Sequence, residues 1–485
     1  MEKSKIYLRI LSAALAALML ASFVISCGGE KAPADTTASL RETTAAETEA
    51  ESTDIPDNLP DDLDFGGKSF RMVFQAEEYR VQCMVEEETG DVVNDAVYEA
   101  NRRVEERFNV SLEALVLGDS YLSSIKKSIQ AGDNSCEAVS GHDLELANAT
   151  LENFYIDVNT LPYLDYDKPW WPKYSVDSLT VGKSMVLISN FMTYENLHAT
   201  RIFYINKPLA QSWGLEMPYD KVRSGVWTLD EFISMTKDIY SDVNGNGERD
   251  FYDLYGWVCT DPYALLESFG ITPIKEDADG MLYIDINNER TINLMDKITK
   301  LLKESPGGIY ASGERNSSKL FTEELSVFHY ARLGVCTTYL RDSEIEYGMV
   351  PIPKYDEHQE DYISGSTDRP VAVPISIDDP EFVGCMIEAM SAEGWRLVRP
   401  AFFEIALKNK YSYDADSAEM LDIVGRTIIL DFSYIYSDYD GFAWTLMKMV
   451  RPDFKGDFAS YYAKNEKKAQ KRVDKLNKFF AELGG

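Results

Sequence analysis

Lys68-Ser69-Phe70-Arg71-Met72-Val73-Phe74 reads as a β-strand that ends in the polar loop Gln75-Ala76-Glu77-Glu78-Tyr79. Asp91 then offers its side chain to the free N–H groups of a helix start. Val93, Val97, Ala100, Val104 and Phe108 follow at three- and four-residue spacing, which places them on one buried face. A second strand is expected from Val110 to Leu117, a helix around Tyr121–Ala131, and a short strand from Cys136 to Val139. That last strand runs into the loop Ser140-Gly141-His142-Asp143. Strand, helix and strand in turn predict an open α/β sheet, in which ligands sit beyond the carboxyl ends of the strands.

Toward the N-terminus the chemistry changes. Lys3, Lys5 and Arg9 precede an apolar run, Ile10 to Val24, broken only by Ser12 and Ser22. Basic, then apolar, then small is the order of a secretory signal, and the run falls short of the roughly 20 residues that span a bilayer. Val24-Ile25-Ser26-Cys27-Gly28 resembles the lipobox of bacterial lipoproteins. The resemblance implies a signal peptide over 1–26 and a diacylated Cys27 as the mature N-terminus, a stable membrane anchor. Residues 27–65 complete this leader. The stretch is rich in Thr, Ala, Glu and Asp, with almost no large apolar residue, and predicts a disordered tether.

The roughly 420 residues that remain exceed one compact core, so two lobes are expected. The formal charge of −33 excludes nucleic acid as a partner, since phosphates require Lys and Arg. Beyond Cys27 the cysteines are Cys83, Cys136, Cys259, Cys336 and Cys385, widely spaced and without C-x-x-C. Buried free thiols are the expectation, rather than a disulfide framework or a zinc site.

In the middle of the chain, Phe203-Tyr204-Ile205-Asn206-Lys207-Pro208-Leu209 precedes Gly214-Leu215 and Pro218, then Gly225-Val226-Trp227-Thr228-Leu229-Asp230-Glu231-Phe232. Thr228 with Glu231 three residues on is a capping box, opening a helix to about Tyr240. Taken together with Tyr347-Gly348-Met349-Val350-Pro351-Ile352-Pro353, this ordered series resembles the family 1 extracellular solute-binding proteins. The resemblance implies a two-lobe, type II periplasmic-binding-protein-like α/β fold with a hinge between discontinuous lobes. Lobe one is expected at 66–200 with 363–410, lobe two at 206–362 with 415–485. The helical C-terminus is expected to pack mainly on lobe two, and Lys464 to Phe480 to form a surface helix.

Asp242-Val243-Asn244-Gly245-Asn246-Gly247-Glu248-Arg249-Asp250 continues to Asp253. Oxygen side chains at loop positions 1, 3, 5, 9 and 12, a glycine at 6 and a backbone carbonyl expected at 7 suit calcium, which takes six to eight hard oxygens. Asp242, Asn244, Asn246, Glu248, Asp250 and Asp253 are the expected donors. The loop resembles the calcium loops of dockerins. Leu254 to Cys259 reads as strand, so a structural calcium is expected rather than a switch.

Loops that combine aromatic and polar side chains suit sugars, which present C–H faces and hydroxyls together. Placed on the family pattern, the candidate ligand contacts are Glu78, Tyr79, His142, Asp143, His198, Trp257, Tyr339, Arg341, Ser364, Ser366 and Asp368. Trp170-Trp171, flanked by prolines, either displays its rings or pins a long loop. No G-x-S-x-G, H-E-x-x-H or phosphate-loop motif occurs, and there are four histidines. The resemblance implies a non-enzymatic, monomeric capture protein of an ABC importer, lipid-anchored on the extracytoplasmic face. It would pass a solute to permease subunits. Oligosaccharide is the favoured solute; peptides and other solutes stay open. The alternative is a surface glycan-binding or sensory lipoprotein not coupled to import.

Overall fold

The computed structural model describes residues 55–408, 415–437 and 441–484; the signal, Cys27 and most of the tether lie outside them. Along the chain the principal strands are β1 (Lys68–Phe74), β2 (Val110–Val116), β3 (Ala138–Ser140), β4 (Leu187–Ile188), β5 (Arg201–Asn206) and β6 (Leu254–Cys259). They continue as β7 (Gly308–Tyr310), β8 (Ser326–Arg332), β9 (Tyr347–Val350), β10 (Ser364–Gly365), β11 (Val371–Ala372) and β12 (Ile428–Ile429). Two mixed sheets result, ordered β2-β1-β3-β11-β4 and β7-β6-β8-β5-β9. The chain leaves the first sheet after β4 and returns to it at β11, so the first lobe is discontinuous; Met420, Phe442 and Phe458, far along the chain, rejoin the core of the second. Between the sheets β10 pairs with β12, Ser364 against Ile428.

Local signals are realised closely in the first lobe. The Asp91 carboxylate accepts hydrogen bonds from the N–H groups of Val93 and Asn94, opening α1 (Val92–Phe108), whose apolar stripe is buried. In the second lobe Thr228 accepts from the Glu231 N–H and opens α2 (Leu229–Thr236). This helix stops short of Tyr240, because Tyr240-Ser241 pairs with β6 as an edge strand. The five cysteines beyond Cys27 are free and buried.

Two expectations change and one open alternative is resolved. The tether was expected to reach residue 65, yet 55–65 lie on the first lobe. Leu59 is buried, Phe65 packs edge-on against Phe382, and Asp57 receives both Arg107 and Arg396. Three anchors in eleven residues outweigh the polar composition around them. The C-terminal part is shared between the lobes rather than held mainly by the second. In α3 (Phe458–Leu483) Phe458 joins the second core, whereas Val473, Leu476, Phe479 and Phe480 join the first. The tryptophan pair is settled as a pin: Trp170 and Trp171 are buried, and both indole N–H groups donate to Glu388 at 2.8 Å. Among the described residues no helix is long and apolar enough to cross a membrane.

Candidate functional site

The carboxyl ends of β1 and β3 in the first lobe, and of β6, β7 and β8 in the second, open onto one cleft. β3 ends at Ser140, and the next residue is Gly141, where a Cβ would lie 2.5 Å from the Tyr121 ring. Only glycine lets the chain pass that ring and deliver His142 and Asp143. The Nδ1 of His142 is 2.8 Å from the Asp143 carboxylate, which is nearly inaccessible to solvent.

In the second lobe β5 and β8 are antiparallel, and their register places Arg201 directly opposite Arg332 at the cleft edge. Two like charges so placed repel. Glu314, which follows β7 at a helix start, resolves this: Arg201 donates to one oxygen at 2.8 Å and Arg332 to the other at 2.7 Å. Burial opposes ionisation of Glu314, but the two guanidiniums outweigh it and hold its pKa down to about 2. Arg369, from the segment before β11, reaches the same space from the first lobe. It lies over the Tyr79 ring at 5.1 Å, with a nitrogen 3.9 Å from Asp143.

These residues line two compartments. The inner one, about 560 Å³, is bounded by His142, Asp143 and Arg369 on one side and by Arg201, Arg332 and Tyr339 on the other. Tyr263, Tyr434 and Trp444 also line it; Tyr434 stacks on Trp444 with ring centres 5.1 Å apart. The outer one, about 750 Å³, holds Glu78, Tyr79, His198 and Arg341, and Arg332 borders both. His198 pairs with the buried Glu195 at 3.2 Å, its ring packed where a side chain at Gly334 would stand.

Seven of the eleven candidate contacts therefore lie in these compartments: Glu78, Tyr79, His142, Asp143, His198, Tyr339 and Arg341. Four do not line them. Trp257 is fully buried in β6, edge-on to Phe203 and Phe232, because its strand position faces the helix layer. Ser364, Ser366 and Asp368 are buried in the crossover behind the cleft, bonded to Thr427, the Asn196 carbonyl and Ser189 respectively. The sequence reading missed Arg201, Arg332 and Arg369. A signal existed for the first two: each is the charged end of a largely apolar strand, Arg201-Ile202-Phe203 and, with His329 the exception, Phe328 to Arg332.

The loop from Asp242 to Asp253 is folded by its own side chains. The Asp242 carboxylate accepts from the Gly245 and Gly247 N–H groups at 2.7 and 2.9 Å. Asn244 and Asn246 donate their amide N–H to Asp250, and Asp253 is taken up by Tyr240 and the Val243 N–H. The donor set is all oxygen and the turns are formed, which fits a hard cation in kind. Among the described residues, however, no group of three or more His, Cys, Asp or Glu is gathered to hold a metal. Binding calcium would require the two asparagines to turn their amide oxygens inward.

No family model and no curated protein matches the sequence. Solved structures match the fold along most of the chain. UgpB from Mycobacterium tuberculosis, in complex with glycerophosphocholine, is 14% identical with a TM-score of 0.52, covering 85% of this chain and 99% of its own. UspC from the same organism is 12% identical at 0.52, covering 85% and 100%. The GacH receptor of Streptomyces glaucescens is 10% identical at 0.51, covering 84% and 99%. The fold is that of the type II solute-binding proteins: two α/β lobes, discontinuous in sequence, with a helical C-terminus. It is the fold expected from the family 1 resemblance.

Proposed function

We propose that this protein is the lipid-anchored, extracytoplasmic solute-binding component of an ABC importer, which captures an oligosaccharide between its lobes. One observation carries the reading. The inner compartment is built from both lobes, His142, Asp143 and Arg369 facing Arg201, Arg332 and Tyr339. A solute touching both sets favours the closed form, which a permease can then select. Proteins of similar fold lend support, since UgpB was solved with glycerophosphocholine and GacH with acarbose. On this reading the protein is a monomer that binds and releases its solute unchanged. Calcium in the 242–253 loop, held by Asp242, Asn244, Asn246, Glu248, Asp250 and Asp253, would stabilise the second lobe.

Thermal-shift screening against a glycan panel, followed by calorimetry, is the test. A saturable ligand recovered intact supports capture; conversion to product would make the protein an enzyme. A surface glycan-binding or sensory lipoprotein would bind likewise but leave a neighbouring permease unstimulated, so ligand-dependent ATP hydrolysis by the reconstituted importer separates the two. For the anchor, Cys27→Ser should release the protein from membranes or leave uncleaved precursor. Unchanged attachment with normal processing would exclude acylation at Cys27.

A further inference from the structure

Acidic residues outnumber basic ones by 81 to 48 in this chain, yet the inner compartment reverses the balance. Arg201, Arg315, Arg332 and Arg369 line it against Asp143, Asp261 and Glu314. Asp261 is occupied elsewhere, accepting from the Tyr310 hydroxyl and the Gly313 N–H. Glu314 is one carboxylate shared by two guanidiniums. Asp143 stands 3.9 Å from Arg369, too far for a strong hydrogen bond.

Donors are left over. Arg201 is 4% exposed and its Nε has no hydrogen-bond partner; the Nε of Arg369 is likewise buried and unpartnered. Asp143 Oδ2 is unpartnered too, but it stands 3.9 Å from Arg369; buried donors are costly to leave unpaired, so two of them, one from each lobe, remain open to an acceptor on a ligand. Arg332 and Arg369 also line this compartment from opposite lobes, where like charges repel.

We infer that the captured solute bears an anionic group, a carboxylate, sulfate or phosphate, held among Arg201, Arg332 and Arg369; this rests on the capture reading above. The planar guanidinium fork matches such groups in two-point fashion. Like charges on the facing lobes resist closure until an anion lies between them, so ligand charge and lobe closure are coupled. Tyr339, Tyr263 and Trp444 add ring faces beside the charge, which suits an acidic saccharide.

The experiment is calorimetric titration of the full-length protein, at low and high salt, with four probes: trigalacturonate, a sulfated disaccharide, glycerol phosphate and neutral maltotriose. The expected result is tighter binding of one or more anionic probes, weakened by salt and by Arg369→Gln about tenfold or more. Which anionic probe binds identifies the group. Should Arg369→Gln misfold, Arg315→Ala, an exposed change in the same wall, and the salt dependence decide instead. Binding of maltotriose as tight as the anions and indifferent to salt would overturn the inference and leave capture standing. Failure of all four probes, with a neutral solute found in the wider screen, would also overturn it. Failure of every solute tested would overturn capture itself.

Discussion

The indole N–H of Trp170 donates to Glu388 Oε1 at 2.8 Å, in a site where neither side chain meets solvent. Trp171 donates to the other carboxylate oxygen. Glu388→Ala would strand two buried N–H groups, each costing about 1–3 kcal/mol. A marked drop in melting temperature is expected, and an unchanged one would show that the pin contributes little.

The same carboxyl gives stability a pH dependence. Burial pushes Glu388 up from 4.5 to about 7 and Asp368 from 3.8 to about 7. Between those values the folded chain keeps protons that the unfolded chain has released, so stability falls as pH rises from about 4.5 to about 7. Melting midpoints taken across that interval should decline, and Glu388→Gln should shrink the decline. Identical profiles for the two proteins would contradict the assignment.

Glu314→Gln is expected to be more damaging, since it leaves Arg201 and Arg332 facing each other. Removing one partner of a buried pair costs about 3–5 kcal/mol. Here the acid limb is diagnostic. Because Glu314 is held down to about 2, its contribution is complete above its ordinary 4.5 and is lost as pH falls toward that lower value. Acid unfolding of the variant should therefore lose a component that the parent shows.

Tyr339 is 43% exposed at the mouth of the inner compartment. Tyr339→Ala should leave the melting curve unchanged and weaken solute binding by about 2 kcal/mol. Asp143→Ala should weaken binding too, but with some loss of stability, because Asp143 is buried against His142. Wild-type affinity in both would move the site elsewhere.

Chelation should lower the melting temperature if the 242–253 loop holds calcium, by an amount equivalent to about 2.7 kcal/mol at a hundredfold excess over Kd. Asp242→Ala, which also removes the acceptor for Gly245 and Gly247, should abolish that sensitivity. A curve indifferent to chelator would leave the loop as a self-bonded turn.

What the sequence made legible was local. Asp91 and Thr228 announce helix starts because a cap and its partners lie within a few residues. The pairing of Arg201 with Arg332 depends instead on an antiparallel register between distant strands, and nothing near either residue signals it. Trp257 and the Ser364–Asp368 segment misled in opposite ways. A tryptophan can be platform or core, and its strand face decided for core. Polar residues in a crossover looked available to solute, but they satisfy backbone and side-chain groups that the crossover itself buries.

Residues 55–65 are fastened by Arg107, Arg396 and Lys168, all on the first lobe. A pull applied through the N-terminal segment therefore loads that lobe, while the second carries no part of the strain through these bonds. On the proposed reading, in which the chain is anchored at Cys27 and the lobes close on a solute, the first lobe would be the fixed jaw and the second the moving one. Closure would then change the reach of the second lobe without taking in or paying out any length of leash.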